Sequence, residues 1–372
     1  MKVLTVVGAR PQFVKAAPLS RALRVDHEEI LVHTGQHYDD NMSASFFREL
    51  ELPAPDHNLE VGSGSHAWVT AEMLRRLDPV IGEHEPDGIV VHGDTTSTLA
   101  GALAAAKVAY AGGRRPWLAH VEAGLRSFNR RTPEERNRVV ADHLADVLLA
   151  PTEVAMRHLA REGLAGRAEL VGDVMVDAHE WASARAEAHL PPIVQGMDRF
   201  VLATLHRAEN VDEPERLGRL IDALALPIPV IFPAHPRTRS VLDRAARAMP
   251  ANVHVIDPVD HLEMVALERR ALLIATDSGG LQKEAYLSGV PCITLRTETE
   301  WVETVEAGWN RVVGDDPIAI RAALEDAAFM RRDRPRPPLF GDGRAAERIV
   351  AALEQHHSRT SATIHRQEVP TR

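Results

Sequence analysis

A chain of 372 residues is long enough for two domains of ordinary size, each with its own core. Its 45% hydrophobic and 26% charged residues are those of a soluble globular protein, and no apolar run approaches the roughly 20 residues that span a bilayer. The net charge of −10 disfavours nucleic acid as the main partner, which would need a broad basic surface, whereas a small anionic ligand needs only local positive charge.

The opening Met1–Gly8 is apolar for too short a stretch to be a signal peptide. The single cysteine, Cys292, has no internal disulfide partner, which fits a reducing compartment and a cytoplasmic location. Short β-branched runs then alternate with helical stretches. The runs of the first half are Val3–Val7, Ile30–His33, Gly88–His92, Trp117–Val121, Val147–Ala150 and Ala168–Val171. Helical spacing fills Pro11–Leu23, Ser65–Ile81, Thr96–Val108 and Pro133–Leu144 between them. The second half repeats the pattern with runs at Phe200–Leu205, Val230–Pro233, Val253–Ile256, Leu272–Thr276 and Cys292–Leu295. Its helical segments lie near Glu213–Ala223, Thr238–Ala248, His261–Glu268 and Gly280–Ser288.

Strands separated by helix-length connections imply right-handed crossovers and parallel sheets. Eleven strands in one sheet would be unusual, so the expectation is an α/β protein of two doubly wound parallel-sheet domains, residues 1–172 and 173–344. The hinge falls between Val171 and Gln195, where periodicity lapses at Pro191-Pro192 and Gly196. From Ser358 onward the chain is polar and aperiodic and reads as a disordered tail, 358–372.

Ligands of open parallel sheets bind beyond the carboxyl ends of the strands. Just past the runs stand Gly8-Ala9-Arg10, His92-Gly93-Asp94-Thr95 and His120-Val121-Glu122-Ala123-Gly124 in the first half. The second half has Leu205-His206-Arg207, Ala234-His235-Pro236 and Asp277-Ser278-Gly279-Gly280. Two such polar ends facing each other would form an interdomain cleft.

The segment Thr276–Glu284 has the form strand, glycine turn, helix start, and its opened backbone N–H groups suit a diphosphate. It equally fits a tight turn capped by Ser278. Arg10 and Lys15 flank Pro11 in a first helical turn, either as a basic pair at the mouth of the site or as a solvated one. Asp94, Glu122 and Glu134 are candidates for proton transfer. Glu134, after Pro133, also simply complements a helix dipole, and Asp94 also fits a helix cap. No GxGxxG follows the first strand, so no nicotinamide cofactor is implied. The absence of HExxH and paired CxxC leaves no metal expected, and the absence of GxSxG disfavours a serine hydrolase.

Taken in order, Gly8-Ala9-Arg10-Pro11 with Lys15, His92-Gly93-Asp94-Thr95, His120–Ser127, Pro133-Glu134-Glu135 with Asn137-Arg138, and Thr276–Gly280 resemble the non-hydrolysing UDP-N-acetylglucosamine 2-epimerase family. The resemblance runs from residue 1 to about 355 and takes in Gly341-Asp342-Gly343. It implies Rossmann-like domains in a GT-B-like arrangement, a last helix near 345–357 that completes the first domain, and a homodimer. It also implies inversion at C2 of UDP-GlcNAc by loss and re-addition of UDP through a 2-acetamidoglucal.

Matched residue by residue, Asp94, Glu122, Glu134 and His206 fall on the family's catalytic positions. Arg10, Lys15, Ser278, Gly279, Gly280 and Glu284 fall on UDP-binding ones, and Val259 and Met264 where its backbone meets the uracil. Two departures stand out. The family's T-E-R-P-E reads Thr299-Glu300-Trp301-Val302-Glu303, so an arginine contact to the nucleotide is lost or moved. After Gln36-His37 the chain reads Tyr38-Asp39-Asp40-Asn41-Met42, unlike members activated by their own substrate. Both departures resemble the branch acting on UDP-2,3-diacetamido-2,3-dideoxy-glucuronate. A GT-B glycosyltransferase and a non-catalytic UDP-sugar sensor are the competing functions.

Overall fold

The computed structural model describes residues 1–35, 47–245 and 248–367, with backbone alone at residue 10 and at 362–367. The chain falls into two compact units, Met1–Ala178 with Phe340–Arg372, and His179–Leu339. The change-over lies inside the helix Val174–Ala186, a few residues beyond 172, and the return at Phe340 comes a few residues before 344.

In the first unit the strands are β1 (Lys2–Val7), β2 (Glu28–His33), β3 (His57–Asn58), β4 (Gly88–His92), β5 (Trp117–Val121), β6 (Val147–Ala150) and β7 (Ala168–Leu170). They pair in the order β3-β2-β1-β4-β5-β6-β7, every pair parallel. Every residue of β4, β5 and β6 is buried. Helices cover both faces of such a sheet, and that is why these strands read as unbroken apolar runs rather than alternating ones.

The second unit holds β8 (Val201–Thr204), β9 (Val230–Pro233), β10 (Val253–Ile256), β11 (Leu273–Thr276), β12 (Cys292–Thr294) and β13 (Asn310–Val312). Their order is β10-β9-β8-β11-β12-β13, again all parallel. Separate apolar clusters fill its two faces, one around Phe232, Leu220 and Leu273, the other around Phe200, Ile274 and Leu281. Both units are thus doubly wound, and each has one point where the strand order reverses, between β1 and β4 and between β8 and β11.

The strands β3 and β13 have no counterpart in the sequence reading. Both lie at sheet edges, and two or three residues are too few for a hydrophobic pattern to declare itself. The closing helix also departs from expectation. It runs Ala345–Gln367, past Ser358, where a disordered tail was expected to begin. That stretch contains no proline or glycine, and Thr360 Oγ1 donates to the carbonyl of His356 at 3.1 Å, so polar composition alone does not stop the helix. Ala345, Ile349, Ala352 and Leu353 of this helix pack with Val3, Leu19, Trp117 and Val147 of the first unit.

Candidate functional site

In the first unit the polar residues gather at the β1/β4 reversal. Gly8 lies so close to Ser97 and Thr34 that a Cβ would sit 2.1 Å from both hydroxyl oxygens. Gln12, 1% exposed, ties the neighbouring turns together. Its Oε1 accepts from the N–H of Gly8 (2.9 Å) and Ala9 (3.2 Å), while its amide donates to the His92 carbonyl (2.9 Å) and Thr98 Oγ1 (3.1 Å).

One turn further along the helix Arg10–Asp26, the Lys15 ammonium forms a short hydrogen-bonded ion pair with Glu122 Oε2. Burial works against the charged lysine, but Glu122 and then Asp94 outweigh it and raise its pKa above the ordinary value. Glu122 follows β5 in the left-handed region, φ 71°, which a non-glycine residue adopts only when its surroundings impose it. Here Glu122 and Ala123 both donate their N–H to the Leu149 carbonyl at 3.1 Å. Gly93, at φ 62°, leaves the space: its missing Cβ would stand 3.2 Å from Glu122 Oε2 and 3.3 Å from Lys15 Nζ.

The framework behind this group is charged and buried. His120 bonds Asp142 Oδ1 through Nδ1 (2.6 Å) and the Gly93 carbonyl through Nε2 (2.7 Å). The ring is thereby fixed between two acceptors on different turns. Arg126 Nη1 lies 2.7 Å from Asp142 Oδ2, which also accepts from Gly124 N–H at 3.1 Å. Burial raises the Asp142 pKa, but His120 and Arg126 more than reverse this and hold it below the usual carboxylate range. His92, wholly buried, has no hydrogen-bond partner at either ring nitrogen. Burial and then Lys15 push its pKa down to about 3, so it is neutral at physiological pH.

Asp94 is held from the helix Pro133–Leu144. Arg138 forms an ion pair with Asp94 Oδ2 and reaches Glu135 at 3.0 Å, while Asn137 Nδ2 donates to the Asp94 carbonyl at 2.9 Å. Glu134 is exposed on the first turn of this helix, one turn before Asn137. Its neighbour Glu135 is the buried carboxylate, accepting from Ser127 N–H and Oγ and from Phe128 N–H. Lys15, Glu122 and Asp94 therefore come together, and Glu134 lies on the helix that supplies Asn137 and Arg138 to Asp94. The Arg10 side chain and the segment Gln36–Met42 lie outside the described residues.

In the second unit the reversal between β8 and β11 gathers His206 and the glycine turn. Asp277, fully buried, accepts from the N–H of His206 (3.1 Å) and Arg207 (3.0 Å) and from Asn210 Nδ2 (3.1 Å). His206 Nδ1 lies 3.2 Å from Asp277 Oδ1, an arrangement that orients the ring and favours a proton on Nδ1. Burial raises the Asp277 pKa, but the bond from His206 and the other donors bring it below the usual range.

Ser278 caps the helix Gly279–Leu287 at Leu281 N–H. Gly279 lies against the Glu300 carboxylate, whose Oε1 would stand 2.0 Å from a Cβ, whereas a Cβ at Gly280 would have only Ser278 Oγ, 3.8 Å away. Trp301, the departure from the family pattern, is buried: its indole donates to the Gly279 carbonyl at 2.8 Å and its ring lies 4.3 Å from Lys283 Nζ. The aromatic side chain braces the turn from within. Glu284 is half-buried on the same helix. Burial, then the charge of Glu284, raises the carboxyl of Glu268 well above its usual range. Val259 and Met264 flank the Asp260 capping box and pack, partly buried, on the cluster that includes Leu281.

Sequence reasoning did not single out Gln12, Arg138, Asp142 or Asp277 as site residues. Arg138 and Asp277 lay within quoted motifs, and the signal that marks them is a partner on a distant turn.

The chain is similar to known proteins over most of its length. A protein of Methanococcus maripaludis described as a UDP-N-acetylglucosamine 2-epimerase homolog is 46% identical over 95% of this chain and 99% of its own length. The UDP-2,3-diacetamido-2,3-dideoxy-D-glucuronate 2-epimerase of Pseudomonas aeruginosa is also 46% identical, with the same coverage. The crystal structure of Methanocaldococcus jannaschii UDP-GlcNAc 2-epimerase in complex with UDP-GlcNAc and UDP is similar at a TM-score of 0.86 and 41% identity, covering 95% of this chain and all of that one. The UDP-N-acetylglucosamine 2-epimerase family matches residues 21–354, and to that family this chain belongs.

Proposed function

We propose that this chain inverts C2 of a UDP-linked N-acetylhexosamine without hydrolysing it, interconverting UDP-GlcNAc and UDP-ManNAc. The observation that carries the proposal is the group Lys15, Glu122 and Asp94 at the first strand reversal. It offers two positioned carboxylates, the kind of group that takes up or delivers a proton in general acid–base catalysis. The C2 proton is not beside a carbonyl, so direct removal would be very costly. In the proposed path the C2–H and C1–O bonds break, a carboxylate takes the proton, UDP leaves, and a 2-acetamidoglucal remains. UDP then re-forms the C1–O bond while C2 receives a proton on the other face.

Asp94, Glu122 and Glu134 are assigned to the C2 proton on the two faces, each such group supplying on the order of 10²–10⁴-fold. His206, oriented by Asp277, assists the leaving diphosphate. Ser278, Gly279 and Gly280 offer backbone N–H groups at a helix start to that diphosphate, with Arg10 and Lys15 as cations. Glu284 accepts from ribose hydroxyls, and the backbone at Val259 and Met264 meets the uracil. No cofactor or metal enters the reaction.

A second substrate, UDP-2,3-diacetamido-2,3-dideoxy-glucuronate, is favoured by Trp301 in place of the family arginine and by the Pseudomonas aeruginosa relative. We also assign a homodimer and a cytoplasmic setting. Among the described residues no helix is long and apolar enough to cross a membrane.

Incubation of each nucleotide sugar in D₂O, followed by proton NMR, tests the reading. Deuterium at C2 without an added acceptor supports epimerisation and rejects a glycosyltransferase; recovered sugar without deuterium for both substrates overturns it. For a silent sensor, Asp94→Asn and Glu122→Gln would change affinity alone.

A further inference from the structure

We propose that His57, Glu83 and His84 form a binding site for one divalent transition-metal ion, with zinc the best fit. Among the described residues this is a group whose three ligand atoms all lie within 4.8 Å of one another. His57 sits on the edge strand β3, and Glu83 and His84 end the helix His66–His84. The site takes no part in the epimerisation proposed above.

The two imidazoles meet through their Nε2 atoms at 2.7 Å, with ring planes at 74°. This is an edge-on approach of two nitrogens to one point rather than a stacked pair. Without metal, one nitrogen must donate a proton and the other accept it. With metal, the donor ring takes the Nδ1–H tautomer, keeping its one proton, and both Nε2 lone pairs turn to the ion. Two nitrogens on a tetrahedral zinc with bonds of about 2.0–2.1 Å stand about 3.3 Å apart, so the rings need to part by only about 0.6 Å. The Glu83 carboxylate supplies a third ligand and solvent a fourth. Two imidazoles and one carboxylate suit zinc better than calcium or magnesium, which want oxygen alone.

The surrounding charges also suit a cation. The ligands lie at a helix carboxyl terminus, where the backbone dipole presents partial negative charge. The neighbouring cation Lys2 is engaged: its Nζ donates to the His84 carbonyl at 3.3 Å and lies 3.7 Å from Glu28. Arg114 is taken up by Glu85 (3.0 Å) and Asp87 (3.5 Å). An ion here would fasten the short edge strand, held to β2 by only two register pairs, to the far end of the helix that follows it.

The test uses the full chain after chelator treatment, titrated with zinc against a chromogenic chelator. One equivalent per chain is expected. The double variant His57→Ala/His84→Ala should bind at least about 100-fold more weakly, since loss of outer-shell partners alone costs that order. Zinc should raise the Tm of the parent and leave that of the variant unchanged. Absence of binding to the parent, or equal affinity in the variant, overturns the proposal. Should the variant fail to fold, X-ray absorption on the zinc-loaded parent decides. Two imidazole nitrogens with oxygen support the site; an all-oxygen or sulfur shell refutes it.

Discussion

The ammonium of Lys15 and the carboxylate of Glu122 are hydrogen-bonded over the open face of Gly93, at the reversal of the first sheet. Two helical turns after β1 and one residue after β5 thus converge where a parallel sheet admits a ligand.

This pair has a pH signature. The folded Lys15 pKa is raised, so its contribution to stability is fully present below the unfolded lysine value of about 10.4. It is lost as pH rises through the higher folded value. Urea midpoints of the parent and Lys15→Met should differ by a constant amount up to about pH 10 and converge above it.

The Asp277 carboxylate orients His206 and satisfies two backbone N–H groups. Asp277→Asn keeps the volume and removes the charge that fixes the proton on Nδ1. Turnover should fall about 100-fold, within the range of a positioned acid–base group, with a smaller change in KM. Steady-state C2 exchange measures both.

Gly279 and Gly280 should separate stability from binding. Gly279→Ala displaces the Glu300 carboxylate from its place beside Arg296 and should cost about 1 kcal/mol in chemical unfolding. Gly280→Ala makes only an ordinary contact with Ser278 Oγ and should leave stability equal or higher by up to about 1 kcal/mol. Calorimetry should nonetheless show weaker UDP binding to Gly280→Ala, because its methyl occupies the approach to the helix N-terminus.

Asp142→Asn tests the framework. The side chain is fully buried between His120 and Arg126, and removing its charge takes away the acceptor they share, leaving Arg126 with Glu162 alone. Loss of about 3–5 kcal/mol is expected, read as a large fall in Tm.

Most strands were legible because a strand covered on both faces has to be apolar throughout, and Gly88–His92, Trp117–Val121 and Val147–Ala150 have the same limits in sequence and structure. His57–Asn58 was not legible, being two polar residues whose pairing is decided by the neighbouring strand. The site divides in the same way. Residues beyond a strand end, such as Glu122 and His206, announce themselves by position. Asn137 and Arg138, which reach Asp94 from more than 40 residues away, and Gln12, which reaches His92 from 80, acquire their roles only when helices settle on the sheet. The meeting of His57 with His84 is of this second kind.

The helix Ala345–Gln367 belongs to the unit that Met1 begins, with Ile349 and Leu353 fully buried in the same cluster as Val3. During synthesis the first unit therefore waits for the second to emerge before its apolar layer can close. Until then Leu19, Trp117 and Val147 lack part of their cover, and a ribosome stalled before residue 345 would hold a protein open to proteases and chaperones at its oldest end.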